Sequence, residues 1–234
     1  MASIPLSPLL LSLKVASLAT VMALLLGTPI ALLLARGRFP GRAVLESLVV
    51  IPLILPPTVT GYYLLLLVGR RAPLGRFLEE TFDIAFIFTW QGAVLASTIA
   101  ALPLFIKAVQ GAFEGIDRRI EDAGRTFKPA LVVFATITLP LAWRGLLAGA
   151  ILALARAMGE FGITLMIAGS IPGRTQTLAL AIYDAVQANQ PQEANALAIL
   201  ATASVLMILF FGGRSPTAPP AQRRAVRRTW DQCR

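Results

Sequence analysis

Arg156 and Glu160 are the residues of this sequence best placed to do chemistry, because they stand one helical turn apart inside the apolar run ILALARAMGEFGITLMIAG. Against lipid each would cost about 2.5 to 3.5 kcal/mol, so both must face inward, where they can pair at i, i+4. Two roles are open. The pair is a salt bridge that fixes helix packing, or it lines or gates a hydrophilic path, with Gly159 and Gly162 letting a neighbouring backbone approach. A second polar set, Thr58, Thr60 and Tyr62, flanks Gly61 in IPLILPPTVTGYY and could line the same path. Little else is reactive. The chain has no His and one Cys, Cys233, which removes a Cys/His metal site and a disulfide framework. There is no carboxylate pair, no hydroxyl with a base and no GxxxxGK[ST] loop. An enzyme is therefore not expected, no cofactor is called for, and any ATP used must be bound by another chain.

These groups sit in a membrane frame. Of 234 residues, 56% are hydrophobic and 14% charged, against about 25% charged in soluble proteins. A hydrocarbon core of about 30 Å needs about 20 helical residues. The apolar runs predict an all-α polytopic fold of about five spans, near Leu9–Ala35, Val44–Val68, Ile84–Ala108, Gly145–Ile167 and Asn195–Phe211. The first is too long for the apolar core of a cleavable signal peptide, and RGRFPGR after it is a poor cleavage site, so it reads as an anchor. Pro52, Pro56, Pro57 and Gly61 break the second, which should face other helices or a water-filled path. The formal charge of +9 gathers in short loops and at the C-terminus, as orientation signals and not as a nucleic-acid surface. Arg36, Arg38 and Arg42 place the first loop in the cytoplasm and the N-terminus outside. The net-neutral loop 69–83 and the segment 170–194 fall outside, the latter with a short helix near Thr177–Val186. Residues 1–212 then form the transmembrane domain. The tail 213–234, rich in Arg and Pro, is expected to be cytoplasmic and disordered, with the composition of an aberrant or truncated terminus.

The longest polar interruption is EDAGRTFKPALVVFATITLP, Glu121 to Pro140, inside a stretch of about 117–142 that reads as two short helices around a turn. It is too long for a minimal connector of about 2 to 8 residues. A docking hairpin on the cytoplasmic side fits. Five helices are too few to enclose a solute path, so a symmetric dimer is expected.

The hairpin resembles the docking motif of ABC-importer membrane subunits: EAA, three residues, Gly, nine residues, then I-x-L-P. Glu121, Asp122, Ala123, Ile137, Leu139 and Pro140 stand at those spacings, with Gly124, Arg125 and Thr126 between. More narrowly, IPLILPPTVTGYYLLLLVGRRAPLG, LARAMGEFGITLMIAG and SIPGRTQTLALAIY look like the molybdate permease family, whose near relatives are sulfate permeases. The resemblance implies one subunit of a homodimeric channel in the bacterial inner membrane. It would be fed by a periplasmic molybdate-binding protein and driven by two cytoplasmic ATPase subunits docked on residues 121–126, Ile137, Leu139 and Pro140. Molybdate, with tungstate beside it, would cross by alternating access; a sulfate-type permease or a self-sufficient transporter is the alternative. The sequence departs from the motif where its glycine should fall, at Phe127 or Lys128. If that turn needs a positive φ, either residue strains it unless Pro129 re-forms the turn, and weakened docking is expected.

Overall fold

The computed structural model describes residues 6–82 and 85–213; the expected disordered tail, beyond its first residue, lies outside them. Among these residues all regular secondary structure is helical and there is no strand. Its long helices are α1 (Ser7–Arg36), α5 (Trp90–Glu114), a continuous rod made of α7 (Ala130–Val133), a π-helical turn (Phe134–Thr138) and α8 (Leu139–Met158), and α11 (Pro191–Gly213). A fifth crossing is divided between α2 (Arg42–Ile54) and α3 (Pro57–Val68), bent by 114° at the break. Shorter helices complete the order: α4 (Pro73–Phe82), α6 (Arg118–Arg125), α9 (Gly162–Ala168) and α10 (Leu178–Gln187).

Small residues hold the core. Ala16, Ala19, Ala23 and Ala31 of α1, Ala101 of α5 and Ala153 of α8 are fully buried around Phe105 and Phe113. Gly27 is a notch for the Phe105 ring, since a Cβ there would lie 2.5 Å from Phe105 Cδ1. Within a bilayer, where water does not drive helices together, close contact of small residues supplies the association. The outer faces carry Leu25, Leu26, Leu66, Leu67 and Ile199, all exposed, as a lipid-facing surface requires.

The bend follows from its prolines. Leu55, just before Pro56, is pushed to ψ 145°, because a proline disfavours the helical region for its predecessor. Pro57 then starts α3, where its missing N–H costs nothing. Two spans begin and end elsewhere than the sequence predicts. The third runs Trp90–Glu114 instead of from Ile84, since Thr89 caps its N-terminus through Gly92 N–H at 3.3 Å. The fourth is displaced most: the rod spans Ala130–Met158 and stops short of Ile167. The second arm of the expected hairpin is thus the first part of a membrane helix. Pro140 would ordinarily break that helix, but its ring meets the widened π turn just before it, where the Leu139 N–H reaches back to the Phe134 carbonyl.

Candidate functional site: a riveted hairpin and two helix breaks that meet

The hairpin starts with α6, whose N-terminus is capped by Asp117 through the Arg119 N–H at 3.0 Å. Glu121, the acid that opens the motif, points inward. Its carboxylate is buried, accepts from Arg36 Nη2 at 3.0 Å and from Thr138 Oγ1 at 2.9 Å. Arg36 also donates to the Ile116 carbonyl at 3.1 Å, and Arg118 to the Ala35 carbonyl at 3.3 Å. One acid therefore joins three elements, the end of α1, the hairpin and the root of α8. Gly124 lets the two arms close: a Cβ there would sit 2.7 Å from Ile137 Cδ1. The sequence reading missed Arg36 and Thr138. Arg36 looked like a topology charge, and nothing in spacing marks a partner 85 residues away.

At the turn itself the expected strain is absent. Neither Phe127 nor Lys128 has a positive φ; both N–H groups bond the Gly124 carbonyl, at 3.1 and 3.0 Å, and Pro129 opens the next helix at φ −58°. No glycine is needed, so the predicted source of weak docking falls away. Asp122, Ala123, Arg125 and Thr126 are exposed, Ile137 and Leu139 half-buried, and Pro140 exposed. The tip is apolar and open: Phe127 is 87% and Leu131 80% exposed.

Arg156 lies at the far end of the rod, about 39 Å from Ala130 at 1.5 Å per residue. Arg156 and Glu160 pair at 2.7 Å, at a break and not within a continuous span: α8 ends at Met158, and Glu160 Oε1 accepts the Ile163 N–H at 2.9 Å to cap α9. Glu160 is fully buried and wholly engaged, whereas Arg156 is 27% exposed. Replacing Glu160 by Gln keeps that cap and removes the counter-charge. We expect a loss of about 1.5 to 3 kcal/mol, the range for a hydrogen bond to a charged group, read by thermal denaturation in detergent.

This break meets the other one. A Cβ on Gly162, first residue of α9, would stand 2.6 Å from Cβ of Pro57, first residue of α3. One turn on, a Cβ on Gly61 would stand 2.9 Å from Met166 Cβ and 3.2 Å from Ile163 Cα. The two half-helices run side by side, and Thr60 and Thr164 are buried without a hydrogen-bond partner for their hydroxyls. Thr58 and Tyr62 are exposed on α3. Gly159 behaves differently from expectation, since an added Cβ would meet nothing nearer than 3.8 Å; it makes no close approach. Beyond α9 the loop 169–177 is tied down by Asp184, which accepts from Gln176 Nε2 at 2.7 Å and from Ser170 Oγ. Among the described residues no cluster of acids could hold a metal ion.

The family pattern described as "Binding-protein-dependent transport system inner membrane component" matches residues 27–214. The molybdenum transport system permease protein of Escherichia coli K12 is 47% identical over 179 residues, 76% of this chain and 78% of that one. Its counterpart in Haemophilus influenzae is 42% identical over 187 residues, 80% and 82% of the two chains. In three dimensions a chain of the MetNI methionine ABC transporter, solved in inward-facing conformations, superposes with a TM-score of 0.69 over 90% of this chain and 94% of its own, at 18% identity. That likeness shows the fold. The family match and the molybdenum permease relatives make this an inner-membrane protein and a transporter permease subunit. The chain belongs to the inner-membrane components of binding-protein-dependent ABC importers, in the molybdate permease family.

Proposed function

We propose that this chain is the membrane-spanning subunit of an ATP-driven importer that carries molybdate, and tungstate by the same route, into the cytoplasm. The observation that carries the reading is the Glu121 junction. A hairpin with an apolar tip is fastened to α1 and continuous with α8, so force applied at Phe127 and Leu131 passes to the rod that carries Arg156 in its last turn. The tip is the docking surface for a cytoplasmic ATPase. The N-terminus is then outside, and the loop 169–177 faces a periplasmic molybdate-binding protein. Two copies enclose the path, with α3, α9 and Arg156 of each along it, and alternating access follows from the rods rocking against each other. Since a separate protein captures the oxyanion, the permease needs no tight anion cage.

A second reading draws on the two breaks that meet, because self-sufficient transporters place their sites at such broken helices. One experiment separates the two. In proteoliposomes, labelled molybdate is expected to enter only when ATPase, binding protein and ATP are all present. Uptake by the purified chain alone would favour the second reading, and uptake of sulfate in place of molybdate would reassign the cargo.

A further inference from the structure

We propose that α4 is an interfacial helix, lying in the phospholipid headgroup layer at the end of the bundle opposite the hairpin and anchoring the α3 half of the bent span to the membrane surface. The helix is amphipathic. At 100° per residue Leu74, Phe77 and Leu78 share one side, and Arg76, Glu79 and Glu80 the other. Leu74 is 49% and Phe77 57% exposed, which in water would be an unfavourable display of apolar surface on so short an element.

Its position decides what covers that surface. Only residues 69–72 separate α4 from the end of α3, and the two pack closely. A Cβ on Gly75 would lie 2.3 Å from the Gly69 carbonyl oxygen and 2.7 Å from that of Val68, so α4 sits against the end of α3, at the level where that half-span leaves the hydrocarbon. The next span begins near the same level, since Phe86 and Ile87, just before α5, pack in one cluster with Leu64 and Val68 of α3. Trp90, at the start of α5, has the Lys14 ammonium 3.9 Å from its ring centroid, and an amphipathic aromatic ring beside a cation is the usual company of the headgroup region. Charge points the same way. Arg70 and Arg71 in the connection are exposed and, like Arg76, make no salt bridge among the described residues. Lipid phosphates supply the anions they lack, while the apolar side sinks to the acyl boundary. The sequence reading took this stretch for an external loop; its helix and its exposed apolar side give it a task.

The test uses the assembled permease with its ATPase in nanodiscs of mixed zwitterionic and anionic phospholipid, with Cys233→Ser as background. Nitroxide labels are placed singly through Leu74→Cys, Phe77→Cys and Glu80→Cys, and collision with oxygen and with a water-soluble nickel chelate is measured. The labels at 74 and 77 are expected to collide more with oxygen than with nickel, and the label at 80 to show the reverse. Equal nickel access at all three positions would overturn the proposal, as would protection of 74 and 77 from both reagents, which would mean that protein covers the helix. A labelled Lys14→Cys chain provides a second reading of depth: its depth should match that of 77, and a label at 77 lying well outside it would also overturn the anchor.

Discussion

Glu121→Ala is expected to abolish ATP-coupled uptake and to be among the most destabilising single changes in the chain. The carboxylate is 6% and the Arg36 side chain 15% exposed, so deletion of the acid leaves a cation in a poorly solvated place. Breaking such a pair from one side costs about 3 to 5 kcal/mol, a large part of a total stability of about 5 to 15 kcal/mol. Thr138 loses its acceptor at the same time, and with it goes the tie between the hairpin and the root of α8. Glu121→Gln should fall between, because the amide oxygen still accepts from one donor without the charge. Joint replacement, Arg36→Met with Glu121→Leu, is expected to recover most of the thermal stability, since an apolar pair often substitutes for a buried ionic one. It should not recover uptake, because the hairpin then lacks its directional hold. Melting of the detergent-solubilised protein and molybdate uptake, measured side by side, check both halves; a double variant that transports normally would reduce the junction to packing alone.

The second large effect is expected at the crossing of the half-helices. Gly162→Ala places a methyl 2.6 Å from Cβ of Pro57, and a proline ring has no rotamer through which to yield. Either α3 or α9 must move, at a cost of about 1 to 3 kcal/mol for overpacking. If the path runs along these helices, uptake falls more than tenfold while the protein still assembles with its ATPase. Gly159→Ala, three residues earlier, is the contrast: its nearest neighbour would be 3.8 Å away and its φ is −91°, so stability and uptake should stay within about twofold, or about 0.4 kcal/mol. Equal effects of the two alanines would remove the crossing from the transport path.

Much of this was legible in the residues. The five apolar runs, the proline doublet that breaks the second of them, the i, i+4 pairing of Arg156 with Glu160 and the hairpin spacing each have a local cause, and a local cause can be read from neighbouring letters. What escaped reading depends on contacts between distant segments. Arg36 on Glu121 and Pro57 on Gly162 join positions 85 and 105 residues apart, and no periodicity carries that information. The boundary of the fourth span was misplaced for a subtler reason. ALVVFATITLP is apolar enough for a membrane helix but ends in a proline that usually stops one, and only the π turn shows how the chain passes it. The missing turn glycine misled in the same way: the motif's glycine suggests a positive φ, whereas Phe127 and Lys128 turn on the Gly124 carbonyl in ordinary conformations.

The central claim is that energy reaches this chain from the cytoplasm through the tip of the hairpin. A single cysteine, Phe127→Cys in a Cys233→Ser background, probes it directly with a membrane-impermeant maleimide. The account predicts no labelling in intact cells, rapid labelling in inverted vesicles stripped of the ATPase, and protection when the ATPase is added back. Labelling from outside intact cells, or labelling in inverted vesicles that the ATPase leaves unchanged, would contradict it.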